Sequence, residues 1–289
     1  MKGRMIICII ICLWLCGYDV ASAQLPNITA EAAVLMDLDT GEVLYGKQEH
    51  QRRPPASLTK VMTGYLATKQ SGVTSQSVVV SETAAKVGES SLNLSADDVL
   101  QFEQLLYGAL LKSANDACVA IAEHLAGSET AFVQSMNLQA CLLGCANTRF
   151  ANTNGLPEEN HYSSAYDLAV ITRAAMQISE FARIVQTQKY LVQWQDGRTL
   201  LVHNTNRLLK EYPGTVGVKT GTTNEAGQCL IAVAEKENKR VAVVVLKSKN
   251  RFYDATLLLD YVFKEMNLEE SDGLKDIGYS VILSEELGK

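Results

Sequence analysis

The sequence predicts an α+β fold: an antiparallel sheet built from both chain ends and packed against helices, with a largely helical insert. Three observations predict it. Residues 32–45 read AAVLMDLDTGEVLY, two β-prone runs about an Asp-Thr-Gly turn, which is the pattern of a hairpin. Residues 229–248 repeat it, with two Val/Ala-rich runs around Glu237-Asn238-Lys239, apolar enough to lie buried. Between the hairpins the apolar residues recur at helical spacing, and segregated strands and helices are the mark of α+β architecture.

The helices follow in order. Leu58 to Lys69 begins behind Pro54-Pro55, with Ser57 near its N-terminus; the prolines fix how the chain enters. Asp97-Asp98 is expected to open a helix reaching about Leu111, its acidic start facing the positive end of the helix dipole. Asn115 to Ala126 is stopped by Gly127, and Ser128 to Leu143 starts with half of a capping box. Ala165 to Gln177 and Leu257 to Met266 complete the set.

Bulk properties narrow the function. Lys2 and Arg4 precede an apolar run from Met5 to Leu15 and the small residues Ala21-Ser22-Ala23, the layout of a cleavable secretory signal. The expected organisation is a signal peptide over 1–23, one catalytic domain over 24–266, and a short acidic tail over 267–289. The protein is expected to be exported and extracytoplasmic, with peripheral membrane attachment left open. The chain has 289 residues and a net charge of −6, without a basic block, so nucleic acid is not an expected partner. Of seven cysteines, Cys8, Cys12 and Cys16 fall in the signal, leaving Cys118, Cys141, Cys145 and Cys229. These read as buried free thiols. The four histidines, His50, His124, His161 and His203, show no metal-binding spacing, so neither a metal nor a cofactor is expected.

The chemistry is carried by three short motifs. Ser57 and Lys60 stand three apart and share a helix face. Serine needs an adjacent base to become a nucleophile, and a lysine buried among apolar groups loses its proton readily enough to serve. Alone the pair reads more readily as a helix cap and a surface lysine than as a nucleophile and its base. The second motif, Ser113-Ala114-Asn115, occupies a short loop between helices, where a hydroxyl and an amide can be aimed into a cleft; Ser91-Leu92-Asn93 has the same spacing in a Gly/Ser-rich loop. The third, Lys219-Thr220-Gly221, precedes the C-terminal hairpin. A strand there can offer a cation, a hydroxyl and a backbone open to close approach. Its bland reading is a polar edge strand guarded by a lysine.

In this order the three motifs resemble those of the penicillin-binding proteins and class A β-lactamases. Within that β-lactamase/transpeptidase-like superfamily the chain resembles the low-molecular-weight D-alanyl-D-alanine carboxypeptidases. The stretches PASLTKVMT, LLKSANDACVAIAEHLAG, FANTNGL followed by HYSSAYDLAVITRAA, GVKTGTT and RFYDATLLLDY carry the likeness over roughly residues 30–265. The resemblance implies that Ser57 attacks the carbonyl between two terminal D-alanines of a peptidoglycan stem peptide and forms an acyl-enzyme. Lys60 would be its base and Ser113 the proton relay to the leaving amine. Asn115 would hold the substrate amide and orient Lys60. Lys219 would bring positive charge to Ser113 and to the substrate carboxylate, with Thr220 hydrogen-bonding that carboxylate. The backbone N–H groups of Ser57 and Thr222, the residue after Gly221, would form the oxyanion hole. Arg251 would either grip the terminal carboxylate bidentately or lie on a solvated face. β-Lactam antibiotics would be acylating inhibitors.

Against the family pattern, neither a second, β-rich domain nor an amphipathic anchor is expected in the residues after Met266, as for a short form or an incomplete chain, and Asn154 stands where some members carry histidine. Two other readings share the motifs. A class A-like β-lactamase needs a carboxylate that drives water onto the acyl-enzyme, and Glu158-Glu159 are the candidates in this half of the chain. A non-hydrolytic penicillin-binding sensor would keep the acylation machinery without turnover.

Overall fold

The computed structural model describes residues 25–264, apart from 71, 237 and 238. The expected signal peptide and tail therefore lie outside the described residues. The frame is one five-stranded antiparallel sheet. Strands β1 (Ala32–Asp37) and β2 (Val43–Lys47) form the first hairpin. Strands β7 (Thr215–Thr223), β8 (Gly227–Lys236) and β9 (Lys239–Ser248) come from the other end of the chain. Their order is β2-β1-β9-β8-β7. The two ends meet at the β1–β9 pair, where Val34 faces Val244 and Leu35 faces Val243.

The continuous apolar runs in β1, β8 and β9 follow from burial on both faces. Side chains alternate across a sheet. One face carries Val34, Met36, Ile231, Val233, Ala242 and Val244 into the main core. The other carries Leu35, Leu230, Ala232, Val243 and Val245 against a helix spanning 251–264, through Ala255, Leu258, Leu259 and Val262. That helix starts six residues earlier than the apolar periodicity alone indicates. The early start is tied down at Asp254, fully buried, which accepts hydrogen bonds from Thr29 N (2.9 Å), Ala30 N (2.8 Å), Thr29 Oγ1 (2.8 Å) and Ser248 Oγ (2.6 Å).

The helical body covers the main-core face. A tight 3₁₀ turn, Ala56–Thr59, leads into α1 (Lys60–Thr68), which is buried almost all round and forms the centre of this body, as expected of a helix apolar on every side. Around it lie α4 (Asn115–Ala126), capped by Gly127 in the left-handed conformation, α5 (Glu129–Leu142), capped by Ser128, and α6 (Ala165–Met176).

The Asp97-Asp98 helix start is not formed. Residues 99–101 are instead a strand, β4 (Val99–Gln101), paired with β3 (Ser77–Val79), and the helix α3 (Phe102–Tyr107) follows and widens into a π turn over Gly108–Lys112. Asp98 accepts from Ser95 N (2.9 Å) and Trp194 Nε1 (3.0 Å) and pairs with Arg198. Its charge answers these tertiary donors rather than a helix dipole. Other elements carry no expectation above: the short helices α2 (Glu82–Ala85) and α8 (Leu208–Glu211), the helix α7 (Ser179–Gln186), and a hairpin of β5 (Lys189–Gln193) with β6 (Thr199–His203). The Asp196-Gly197 pair between the two runs is the hairpin's sequence signal.

Candidate active site

One cleft brings the three motifs together. Ser57, Ser113, Asn115, Thr220, Gly221, Thr222 and Arg251 line it, while Lys60 and Lys219 lie beneath, fully buried. The 3₁₀ turn and α1 present the first motif, the bend between the π turn and α4 the second, and β7 the third. As the last strand of the sheet, β7 has one edge free to face the cleft.

Lys60 is the hub. Its Nζ donates to Ser57 Oγ (3.1 Å), Asn115 Oδ1 (2.7 Å) and the Asn154 carbonyl (2.6 Å). Burial pushes its pKa down to about 8, against the opposing pull of Cys118, Asp116 and Glu89. Lys60 is thus buried and bonded to the serine, as the nucleophile-and-base reading requires, and is not a surface lysine. Lys219 is held well below the usual lysine range by burial and then by the charge of Lys60. Its Nζ donates to the Thr220 carbonyl (2.9 Å), which leaves two of its three donors without a partner among the described residues.

Ser113 sits in the left-handed region, φ 69°, where a residue other than glycine is held by its surroundings. Its Oγ has no hydrogen-bond partner among the described residues, and no hydrogen bond joins it to Lys219. Asn115 is engaged at both ends of its amide: Oδ1 holds Lys60, and Nδ2 donates to the Gly88 carbonyl (3.0 Å). The second S-x-N sequence has a different use. Ser91 Oγ donates to Asp116 (2.6 Å), whose carboxylate also accepts from Leu92 N (3.0 Å) and Leu94 N (3.1 Å). That network pins the 88–94 loop beside the cleft and leaves Ser113 as the serine that faces it.

Thr220 Oγ1 lies 2.6 Å from Thr205 Oγ1. Arg251 lines the cleft, half-buried, with one arm of its guanidinium engaged. Its Nη1 donates to Gly221 O (2.7 Å), Thr222 Oγ1 (2.7 Å) and Cys229 O (3.3 Å), and its Nε is buried without a partner among the described residues. Arg251 thus braces β7 at Gly221 and Thr222.

Several contributors have no sequence signal of this kind. Asn154 serves Lys60 through its main-chain carbonyl, so the side chain at that position matters little to the contact. Gly155 packs on the nucleophile's turn: at φ 92° a Cβ there would stand 1.9 Å from Ala56 O. Thr59 and His161 lie behind the same turn. Glu158 and Glu159 are exposed and line no part of the cleft. Cys118, Cys145 and Cys229 are buried free thiols as expected, whereas Cys141 is exposed on α5.

This fold, with a half-buried serine hydrogen-bonded to a fully buried lysine at the start of a central helix, has the layout of the serine peptidases and transpeptidases. The family model described as D-alanyl-D-alanine carboxypeptidase, peptidase S11, matches residues 19–250. D-alanyl-D-alanine carboxypeptidase DacF of Bacillus subtilis is 43% identical over 244 residues, 82% of this chain and 62% of that protein. DacD of Escherichia coli is 37% identical over 252 residues, 82% of this chain and 64% of that protein. The chain therefore spans just under two thirds of the length of these relatives. The crystal structure of the Streptomyces K15 DD-transpeptidase superposes with a TM-score of 0.79 at 32% identity, covering 83% of this chain and 99% of that one. The chain belongs to the D-alanyl-D-alanine carboxypeptidase family, peptidase S11.

Proposed function

We propose that the protein is a serine D-Ala-D-Ala carboxypeptidase that removes the terminal D-alanine of peptidoglycan stem peptides through an acyl-enzyme on Ser57. The observation that carries this reading is the Lys60 amine, buried, lowered to about 8 and 3.1 Å from Ser57 Oγ. As the free amine, Lys60 takes the Ser57 proton while Oγ bonds to the carbonyl carbon between the two D-alanines. The carbonyl oxygen becomes an oxyanion facing the N–H groups of Ser57 and Thr222; donors placed in advance of that charge are typically worth about 3–4 kcal/mol each. The C–N bond then breaks, and the proton passes from Lys60 by way of the Ser113 hydroxyl to the leaving amine. Water attacks the ester and gives a proton to the Lys60 amine, now free again, which passes it to the departing Ser57 Oγ. An amine in place of water would give transpeptidation, the activity named for the Streptomyces relative.

The substrate peptide lies along the free edge of β7, its terminal carboxylate beside Lys219 and Thr220. Anionic charge there favours the protonated form of Lys219, so binding restores the cation that burial disfavours. Arg251 keeps Gly221 and Thr222 in place through Nη1 and, lining the same cleft, meets the carboxylate through Nη2. β-Lactams acylate the same serine. The chain is exported on its N-terminal segment and acts outside the cytoplasm; no described helix is long and apolar enough to cross a membrane.

The test is direct. Fluorescent penicillin labels the purified protein and does not label Ser57→Ala, and a pentapeptide ending in D-Ala-D-Ala releases D-alanine. Labelling of the Ser57→Ala variant would remove the nucleophile assignment. Rapid nitrocefin turnover without D-alanine release would favour a β-lactamase, and labelling without any turnover a sensor.

A further inference from the structure

We propose that His161 is a positioning residue of the oxyanion hole: acting through Thr59, it fixes the peptide unit between Ala56 and Ser57 and so aims the Ser57 N–H. The inference rests on the reading of Ser57 as nucleophile and oxyanion donor.

The hydrogen bonds run in one direction. Ala151 N–H donates to His161 Nδ1 (2.9 Å), so that nitrogen is the acceptor. The ring proton therefore sits on Nε2, which lies 2.8 Å from Thr59 Oγ1. The threonine hydroxyl in turn donates to the Ala56 carbonyl (2.9 Å). That carbonyl and the Ser57 N–H belong to the same planar trans peptide and point opposite ways. Holding the oxygen towards Thr59 thus turns the N–H away from it, to the side where β7 passes; a Cβ built on Gly221 would lie 3.1 Å from Ser57 N.

The peptide unit needs such a hold. Ala56 has φ 49°, a left-handed conformation that costs a non-glycine residue energy and persists only when its surroundings impose it. Gly155 closes on the carbonyl side without itself supplying a hydrogen bond there. The three groups of the relay are all sequestered: Thr59 is fully buried, and Ala56 and His161 are 1% and 7% exposed. Burial and then the charge of Lys60 bring the His161 pKa down to about 4, so the ring stays neutral and Nδ1 keeps its acceptor role at physiological pH. Hydrogen bonds in series polarise one another, which makes the peptide N–H a better donor at the moment the oxyanion forms.

The experiment measures acylation by a penicillin, separated into non-covalent affinity and acylation rate, in Thr59→Val, Thr59→Ser and His161→Asn. It also measures binding of an N-acyl-D-alanine boronic acid, whose boron takes Ser57 Oγ and places an oxygen in the oxyanion hole. Thr59→Val keeps shape and removes the relay; its acylation rate is expected to fall roughly tenfold to a hundredfold, below the full cost of deleting an oxyanion donor. Non-covalent affinity stays within about twofold, boronate affinity falls in step with the rate, and Thr59→Ser restores both. His161→Asn, too short to reach Thr59, behaves as Thr59→Val, and the double variant is no slower than the slower single one, because one chain is broken once. Should Thr59→Val not fold, His161→Asn reads the same relay. Wild-type acylation in either variant overturns the inference, as does a rate loss matched by lost non-covalent affinity. Both outcomes leave the function above intact provided Ser57→Ala is unlabelled; labelling of Ser57→Ala would overturn the two together.

Discussion

Lys60 takes its chemistry from where it sits. A solvated lysine carries its proton throughout the physiological range, whereas burial brings this one to about 8. At pH 7 roughly one molecule in ten then holds the free amine. The base form grows as the proton leaves, so kcat/KM for D-alanine release is expected to rise close to tenfold per unit from pH 6 and to bend near pH 8. A profile flat across that interval would remove Lys60 as the base. Lys60→Arg, which cannot give up its proton, is expected to be inactive at every pH. The Ser57–Lys60 spacing was legible in the sequence because residues three apart share a helix face. The contact with the Asn154 carbonyl was not, since a main-chain acceptor imposes no side-chain identity.

At the scale of elements, the cleft is made where three of them touch: the 3₁₀ turn, the bend before α4, and the edge strand β7. Their approach is close enough to require glycine on two sides of the turn. Gly155 shows it most sharply, because an added Cβ would overlap the Ala56 carbonyl and the backbone is left-handed as well. Gly155→Ala is expected to cost about 2–4 kcal/mol of stability and to slow penicillin acylation at least tenfold, read by thermal denaturation and by labelling rate. A variant of unchanged stability and rate would mean that the turn is not packed in this way. The helices from Asn115, Ser128 and Ala165 were legible because each carries its own start or stop signal, as Ser128 does in capping Ala131 N (3.2 Å). The Asp97-Asp98 start misled because a carboxylate satisfied by Trp194 and Arg198 has the same local spelling as one placed on a helix dipole.

For the molecule as a whole, the sheet is the structure that joins the chain ends, and Asp254 is its fastening. The carboxylate ties Thr29 and Ala30, ahead of β1, to Ser248 at the end of β9. Asp254→Ala leaves the buried Ala30 N–H and Ser248 hydroxyl, and the part-buried Thr29 donors, without an acceptor and is expected to lower stability by about 3 kcal/mol. D-alanine release per folded molecule should persist at low temperature, since the residue lies on the sheet face away from the helical body. Urea unfolding of the variant checks this, and a change below about 1 kcal/mol would rule the fastening out.

The α+β class, the two end hairpins, most of the helices and the three motifs of the cleft are written in local periodicity, capping or fixed spacing, and so can be read from the order of residues. Which S-x-N serine faces the cleft, the bracing of β7 by Arg251, and the gathering of Asn154, Gly155, Thr59 and His161 around the nucleophile's turn come from packing in three dimensions. Burial, and the meeting of residues a hundred positions apart, are properties of the folded chain. The strength of Lys60 as a base, like the aim of the Ser57 N–H, is decided there and not by the residues next to them in sequence.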